Sequence, residues 1–520
     1  MHRPPVLLLL AALLATLLAF APNARAQGSE GETEIPIAVL VQALDKGQIT
    51  TQDKLATAGF PVVPVKDFPL FDISLYGFTA PLTAADIPLI RGILDDLIAS
   101  GDILNGDFDV RVSVERGSGQ TGSLWVTCLG PAEFDGQYGL ALTGAYAAAD
   151  RGHGRDVVVA VIDSGIVPTA PLVGDFALPF GYDFVAANGF VPFVPVDSGD
   201  SVDNNNRNGI DESVGHGSFV SGLISRVAPG ARHLHMKVLD SDGDCVLSDV
   251  IAALQACQLE GVHVVNMSLI PSQPTNTLAA VIQSVHDNGA ILVASAGNTA
   301  GIANRYLNSE PYLVQVGATD WSDAVWENSA TGAWVDVFAP GVTTLDAAGM
   351  PIPGTALVSP IGLDPVTSLP CYAAASGTSF SAAWVSGAAA CFRAANPSWP
   401  DAIVAADAIA PRFTLELQAT ATTSSTAGVK RLDAAALTAL YPGVAHCRPD
   451  IVPSYFPQTG LYNPVIDGAD LGALLSSWGY MTDDPRQINR FDLTGDNFVN
   501  AADLAILLGF WGQLPYPPCP

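Results

Sequence analysis

DVVVAVIDSG, residues 156–165, is a run of small and β-branched apolar residues that ends in an acidic side chain and a glycine. Similar runs recur later in the chain, and helical patterns at 247–260 and 276–288 separate some of them. Strands that alternate with helices form a parallel sheet covered on both faces, and functional side chains gather at the carboxyl ends of its strands. An α/β domain is therefore predicted. The later runs are HLHMKVLD (233–240), VHVVNMSL (262–269), AILVASAGN (290–298) and YLVQVGATD (312–320).

The length and the charge of the chain limit what it can be. At 520 residues it is too long for one ordinary core, so two or three folded units are expected. Its 22 basic and 51 acidic residues give a formal net charge of −29. Because nucleic acids and anionic membranes are bound through basic patches, neither is expected as a partner. The many carboxylates suit an exported protein and could bind calcium.

The first 26 residues have the pattern of a secretory leader. Arg3 precedes an apolar run from Val6 to Ala21, and Ala24-Arg25-Ala26 offers a small-x-small cleavage site. The alternative is a membrane anchor, but a span needs about 20 apolar residues. A signal peptide at 1–26, a secreted or cell-surface mature protein, and no membrane span after its removal are therefore expected.

Residues 27–150 contain no catalytic pattern. Segments 61–80 and 108–115 resemble strands, and 82–99 resembles a helix. A small α+β unit ahead of a larger domain suggests a propeptide, and an N-terminal extension with another role is the alternative.

Three segments combine a reactive side chain with small neighbours. They are AVIDSG (160–165) with Asp163, GHGSFVSG (215–222) with His216, and SGTSFSAAWVSG (376–387) with Ser379. A serine hydroxyl needs a base to take its proton, an imidazole is such a base, and a buried carboxylate orients the imidazole. Taken singly, each residue could be a turn, loop or cap residue. Together they predict a catalytic triad.

The order Asp, His, Ser distinguishes this triad from other common layouts, and the segments around it resemble the subtilisin-like serine proteases. The resemblance covers about residues 155–410, roughly half of the chain, and its segments occur in the family's order. It implies an α/β fold with a subtilisin-like parallel sheet flanked by helices, in a peptidase domain at 151–445. The similar segments are VAPGARHLHMKVLD (227–240), VVNMSL (264–269), ASAGN (294–298), VGATD (316–320) and VDVFAPG (335–341).

The resemblance also implies roles for residues outside the triad. The side-chain amide of Asn298 and the backbone N–H of Ser379 would donate to the oxyanion of the tetrahedral intermediate. Ser268 and Leu269 would begin the strand along which the substrate lies. One wall of the specificity pocket would consist of Ala294, Ser295, Ala296 and Gly297.

The sequence departs from the family in two places. Ile270-Pro271 stands where a glycine usually follows Ser-Leu, which changes the shape expected of the distal substrate sites. Phe380, Ser381, Ala382, Ala383 and Trp384 replace the common Met-Ala-x-Pro-His after the nucleophile. Neither departure affects the triad or Asn298.

The C-terminal part contains an internal repeat. DLGALLSSWG at 470–479 matches DLAILLGFWG at 503–512 in six of ten positions, 33 residues further on. Residues 447–520 resemble a dockerin-like double repeat, a small helical module with calcium loops. The resemblance implies attachment to a cohesin-like or cell-surface partner.

The second repeat carries the better calcium loop, DLTGDNFVNAAD (492–503). Its ligands would be the side chains of Asp492, Thr494, Asp496, Asn500 and Asp503 and the backbone carbonyl of Phe498. In the first repeat Leu461 stands at a ligand position and cannot bind a cation. One structural calcium ion is therefore expected in this module, and a helical tail without metal is the alternative.

A second candidate calcium loop lies at 197–212, where Asn204, Asn206, Asn208 and Gly209 roughly fit the calcium-loop pattern. A solvated polar loop is the alternative. There are seven cysteines, so at least one is unpaired within a monomer, and the connectivity is not readable from the spacing. Cys447 and Cys519 flank the tail repeat closely, which favours a disulfide between them.

The sequence thus predicts a secreted, calcium-stabilised serine endopeptidase that hydrolyses polypeptides through an acyl-enzyme. The rival hypothesis is a catalytically silent scaffold of the same family that acts as a binding protein. The presence of all three triad residues and Asn298 speaks against this rival, since a silent scaffold should have lost at least one of them.

Overall fold

The structure is a computed structural model, and it describes most of the chain between residues 36 and 439. The described ranges are 36–43, 45–114, 124–170, 176–186, 189–203, 210–309, 311–352, 354–363, 370–396, 409–426 and 428–439, with 454–456, 461–463 and residues 471, 475, 501, 504, 505 and 508 of the tail. The predicted signal peptide, the six tail calcium ligands, residues 204–209, Cys447 and Cys519 lie outside the described residues.

The N-terminal unit is an antiparallel sheet with two helices. Its strand order is β2-β3-β1-β4. One helix, α2, buries Ile90, Leu94 and Leu97, which recur at helical spacing on its inner face. The elements are β1 (Ala38–Gln42), α1 (Asp45–Thr57), β2 (Val62–Phe68), β3 (Ile73–Phe78), α2 (Asp86–Ala99) and β4 (Asn105–Phe108).

The large domain is built on a ten-stranded sheet in the order β19-β20-β16-β15-β14-β12-β7-β10-β8-β9. Eight of the strands, β20 through β8, are parallel, and the edge strands β9 and β19 are antiparallel to their neighbours. The strands are β7 (Val158–Asp163), β8 (Ala177–Asp183), β9 (Gly189–Val191), β10 (Arg232–Lys237), β12 (Val264–Met267), β14 (Ile291–Ser295), β15 (Val314–Thr319), β16 (Val337–Pro340), β19 (Thr422–Thr423) and β20 (Lys430–Arg431).

Helices cover both faces of this sheet, as the sequence predicts. Alternate residues of β7 enter different cores: Ala160 and Ile162 pack with α7 and α8, and Val159 and Val161 pack with α6 and α9. The prediction of a parallel sheet flanked by helices is thereby confirmed. The helices are α6 (His216–Val227), α7 (Leu247–Glu260), α8 (Asn276–Asp287), α9 (Thr378–Ala395), α10 (Ile409–Thr420) and α11 (Ala434–Ala439).

Residues 124–152 pack with the large domain. Strand β6 (Leu124–Leu129) pairs with β18 (Pro370–Ala375), which also pairs with β17 (Leu357–Leu363). The short helices α3 (Pro131–Asp135) and α4 (Tyr138–Thr143) follow, and α5 (Ala145–Gly152) packs against α9 and α11. This stretch is therefore part of the domain that carries the triad residues.

One further sheet joins the two parts of the molecule. Strand β5 (Arg111–Ser113) lies between β11 (Asp244–Val246) and β13 (Ile270–Pro271), antiparallel to both. The N-terminal unit therefore contributes the central strand of a sheet whose outer strands belong to the large domain. In the tail, β21 (Ser454–Phe456) and β22 (Leu461–Asn463) form a short antiparallel pair.

Four cysteines have described side chains, and they are of two kinds. Cys371 on β18 is disulfide-bonded. Cys245, Cys257 and Cys391 are outside any disulfide, and all three are buried. Among the described residues, no helix has both the length and the apolarity that a membrane crossing requires.

Candidate active site

The structure brings Asp163 and His216 into direct contact. Asp163 is the last residue of β7 and His216 the first of α6, and neither is accessible to solvent. The ring Nδ1 lies 2.8 Å from the carboxylate Oδ1, which also accepts a 2.8 Å hydrogen bond from the N–H of Ser164. A Cβ atom at Gly217 would lie 2.2 Å from the carbonyl oxygen of Gly165, so this close approach requires the glycine after the histidine.

Ser379 lies at the start of α9 beside this pair. It is the second residue of the helix and only 3% exposed, and the ring of the next residue, Phe380, is 5.4 Å from the His216 ring. Its Oγ donates a long hydrogen bond, 3.4 Å, to the carbonyl of Ser268. Nε2 of His216 has no hydrogen-bond partner among the described residues, so the bond between serine and imidazole is not formed. Catalytic hydrogen bonds are often loose without substrate and tighten when it binds.

Asn298 is held in a fixed orientation by the residue before Ser379. Its Oδ1 accepts hydrogen bonds from the backbone N–H and the hydroxyl of Thr378, at 2.8 and 2.9 Å. This directs the Nδ2 donor away from Thr378, and Nδ2 would be 3.3 Å from a Cβ atom at Gly377. Thr378 was not predicted as a site residue, although its place in Ser-Gly-Thr-Ser is a signal that could have indicated it.

The side chain of Ser268 supports the serine segment. Its hydroxyl donates a 3.0 Å hydrogen bond to the backbone carbonyl of Ser379 and accepts one from Asn266 at 2.9 Å. Asn266 in turn accepts from Ser386 of α9 at 2.8 Å. Ser268 and Leu269 are both buried, and the substrate contact that the sequence predicts for them stays a prediction. Behind them, the hydroxyl of Tyr306 donates to the carbonyl of Leu269.

The predicted wall of the specificity pocket lies at the carboxyl end of β14, just before Asn298. Ala294 and Ser295 end the strand, and with Ala296 they are buried. Gly297 has a φ of 117°, a left-handed conformation that disfavours residues with a side chain. The structure therefore places these residues at the same sheet edge as Asp163.

Strand β5 lies directly beyond Leu269. Ser113 pairs with Ile270, which stands where the family usually has glycine, and Val112 pairs with Pro271. On its other side, Ser113 pairs with Asp244 of β11. A segment of the N-terminal unit therefore occupies an extended, two-sided groove that begins next to Ser379.

Two buried carboxylates of the N-terminal unit cap helices of the large domain. Asp109 accepts hydrogen bonds from the N–H and the hydroxyl of Ser248, at the start of α7, both 2.8 Å long. Asp107 accepts two 2.8 Å hydrogen bonds from the same groups of Thr277, at the start of α8. Carboxylates at these positions satisfy free N–H groups and the positive end of the helix dipole.

Two further histidines lie buried one strand away from Asp163. His233 and His235 are on β10, and Nε2 of His235 lies 3.0 Å from the hydroxyl of Ser221. Burial lowers the pKa of His235 to about 4 and also lowers the pKa of His233. Both side chains are therefore neutral near pH 7.

Subtilases generally bind structural calcium, and the described residues include part of the candidate ligands. In the described ranges no group of three or more His, Cys, Asp or Glu side chains is arranged to hold a metal ion. In the loop at 197–212, the backbone N–H of Ser201 donates to both carboxylate oxygens of Asp211. The backbone N–H of Asp200 donates to Oδ1 as well. The carboxylate oxygens of Asp211 are therefore engaged by the backbone, and calcium binding by this loop stays a prediction.

A parallel α/β sheet that gathers an aspartate, a histidine and a serine at one edge, in that chain order, defines a subtilisin-type serine protease. The model of the subtilase family of peptidases matches residues 154–435, more than half of the chain, and the chain belongs to this family.

Known proteins agree with this assignment. Subtilisin BL of Lederbergia lenta is 32% identical over 272 residues, which cover 50% of this chain and 86% of that protein. Subtilisin E of Bacillus subtilis is 29% identical over 285 residues, 51% of this chain and 63% of that protein. Fervidolysin from Fervidobacterium pennivorans, a keratinolytic enzyme, has the same fold with a TM-score of 0.55 at 19% identity, over 81% of this chain and 64% of that chain.

Proposed function

We propose that the chain is an exported endopeptidase whose nucleophile is Ser379. The main support is the buried hydrogen bond between Asp163 and His216. It leaves Nε2 of the imidazole without a hydrogen-bond partner among the described residues, beside the start of α9. His216 takes the hydroxyl proton as Oγ bonds to the carbonyl carbon of the peptide, and Asp163 stabilises the imidazolium. The oxyanion receives hydrogen bonds from Asn298 Nδ2 and from the N–H of Ser379 at a helix start.

The two halves of the reaction then follow from the same residues. The C–N bond of the tetrahedral intermediate breaks, and His216 gives its proton to the leaving amine. Water, deprotonated by His216, attacks the ester that remains on Ser379 and releases the acid product. Because the oxygen of Asn298 is held by Thr378, the amide donor is aligned before substrate arrives.

The N-terminal region acts in this proposal as a removable inhibitor. Strand β5 fills the groove between β11 and β13, where an extended substrate would pair. Because β6 pairs with β18 of the peptidase sheet, the scission that releases the inhibitor falls between β5 and β6. The peptidase domain then includes residues 124–150 in addition to 151–445.

The leader at 1–26 would export the chain, and the tail at 447–520 would attach it to a cohesin-like or cell-surface partner. The support for the tail is the repeat itself, with a second loop that offers six oxygen ligands to calcium. Calcium would be structural there and would play no part in the peptidase reaction.

Labelling with a serine-directed fluorophosphonate tests the central proposal. The wild-type chain should be labelled after maturation, and the Ser379→Ala variant should show neither labelling nor peptidase activity. Ser381→Ala is the matched control, because this buried serine lies two residues further along α9 and donates to the carbonyl of Ala339. Labelling of Ser379→Ala at the wild-type level would show that another serine is the nucleophile.

A further inference from the structure

A second buried aspartate holds the backbone on both sides of His216. Oδ2 of Asp197 accepts a 2.7 Å hydrogen bond from the N–H of Gly215 and another of 2.7 Å from the hydroxyl of Ser164. The same hydroxyl accepts a 3.0 Å hydrogen bond from the N–H of Gly217. The two amide groups that flank the imidazole are therefore fixed by one carboxylate, one directly and one through a serine.

This arrangement also reaches the carboxylate that orients the imidazole. Ser164 follows Asp163 in the chain, and its N–H donates to Asp163 Oδ1, the atom that contacts Nδ1 of His216. Ser164 thus contacts Asp163 through its N–H and, through its hydroxyl, the N–H of Gly217, the residue that follows His216. We propose that Asp197, acting with Ser164, is a positioning residue that sets the distance between His216 and Asp163. The proposal rests on the function assigned to these two residues above.

The surroundings of Asp197 act on its pKa in opposite directions. Burial raises its pKa to about 6, Asp163 acts in the same direction, and the ammonium of Lys237 acts against both. Lys237 lies next to the same serine and donates to the carbonyl oxygens of Ser164 and Leu239 at 2.6 and 3.1 Å.

Only one of the two carboxylate oxygens of Asp197 is used. Oδ1 is buried and has no hydrogen-bond partner among the described residues. A proton on Oδ1 would leave both hydrogen bonds to Oδ2 in place, so the contact does not depend on ionisation. An asparagine at 197 can likewise accept both hydrogen bonds with its single oxygen, whereas an alanine can accept neither.

The effect on catalysis should be large compared with the size of the change. A displacement of about 1 Å in a catalytic group can cost roughly 10²-fold in rate. Without Asp197, the N–H of Gly215 and the hydroxyl of Ser164 lose their buried acceptor, and the turn before α6 can shift. We expect the loss in kcat, because the imidazole acts after substrate has bound, with little change in KM.

The test expresses Asp197→Ala, Asp197→Asn and Ser164→Ala as full-length chains and compares the matured enzymes with the matured wild type. Asp183→Ala is the matched control, because this buried aspartate at the end of β8 also accepts two backbone hydrogen bonds, from Val185 and Ala186. The measurements are kcat, KM, the rate of fluorophosphonate labelling and the melting temperature. The far-downfield proton resonance of His216 Nδ1–H reports the contact with Asp163 directly.

Asp197→Ala should lower kcat and the labelling rate by roughly 10²-fold and shift the resonance, while Asp197→Asn should recover most of the loss. The proposal is wrong if Asp197→Ala keeps kcat within about threefold of the wild type, or if Asp183→Ala loses as much kcat at the same melting temperature. Where Asp197→Ala does not fold, Ser164→Ala decides, because it removes one hydroxyl and should still shift the resonance and lower kcat. A matured wild-type chain that cannot be labelled would refute the proposed function instead.

Discussion

Replacing Asp107 and Asp109 together by alanine should release the N-terminal region from the peptidase. Each carboxylate accepts two 2.8 Å hydrogen bonds at the start of a helix of the large domain, and all four partner groups are buried. Without the carboxylates, the N–H and hydroxyl groups of Ser248 and Thr277 remain buried without acceptors in the complex. In the separated peptidase the same groups can bond to water, so the change weakens the complex alone.

The expected magnitude follows from these contacts. A buried group left without its partner costs about 1–3 kcal/mol, so we take about 2 kcal/mol for each carboxylate. The two helices are separate, so the effects should add to about 4 kcal/mol. Since 1.4 kcal/mol is a factor of ten, the inhibition constant should rise by roughly 10³-fold.

The assay adds the N-terminal segment, residues 27–114, to the mature enzyme and measures the inhibition constant with a peptide substrate. Asp95→Ala is the control, because this carboxylate is exposed on α2 and should leave the constant unchanged. Inhibition by the double variant within about threefold of the unchanged segment would refute the reasoning, because the caps would then contribute almost nothing to docking.

Three other outcomes are expected. Asn298→Ala should lower kcat by about 10²–10³-fold with KM nearly unchanged in steady-state assays, a range carried over from subtilisin itself, the example for which it is known. His235 stays neutral in the folded chain at pH values where it is protonated in the unfolded chain. Acidification from about pH 6.5 towards 4 should therefore lower the free energy of unfolding by about 1.4 kcal/mol per pH unit. His235→Gln should flatten the dependence of melting temperature on pH in the Ser379→Ala background, and an unchanged slope would exclude this cause. Calorimetric titration of a chelator-stripped 447–520 fragment should find one calcium ion, whereas two equal sites or none would contradict the unequal repeats.

The parallel sheet and its functional edge could be predicted from local patterns. The β-branched run before Asp163 determines a buried strand, and the rule that parallel strands end at one edge puts Asp163 near Asn298. Small residues around His216 and Ser379 indicate the close backbone approaches that the structure contains. These signals are local in the sequence, which is why they could be found without the structure.

The supporting contacts could not be predicted, because their partners are far apart in the chain. Asp109 meets Ser248 across 139 positions, and Asp197 meets Ser164 across 33. No short pattern distinguishes such an aspartate from a solvated one. The hydroxyl of Ser268 is a similar case. The family resemblance indicates a substrate contact for Ser268 but carries no information on the hydrogen bond from its hydroxyl to the carbonyl of Ser379.

The free thiols on α7 and α9 offer a way to time the opening of the molecule. Cys257 and Cys391 are 1% and 0% exposed, and burial raises the pKa of both. Neither should therefore react with thiol reagents until the helix that carries it is exposed to solvent. Cys257 belongs to the helix that Asp109 caps, and Cys391 belongs to the helix that begins beside Ser379. Their alkylation rates, followed separately by mass spectrometry, would therefore report two local opening rates. One belongs to the face under the N-terminal region and the other to the catalytic face.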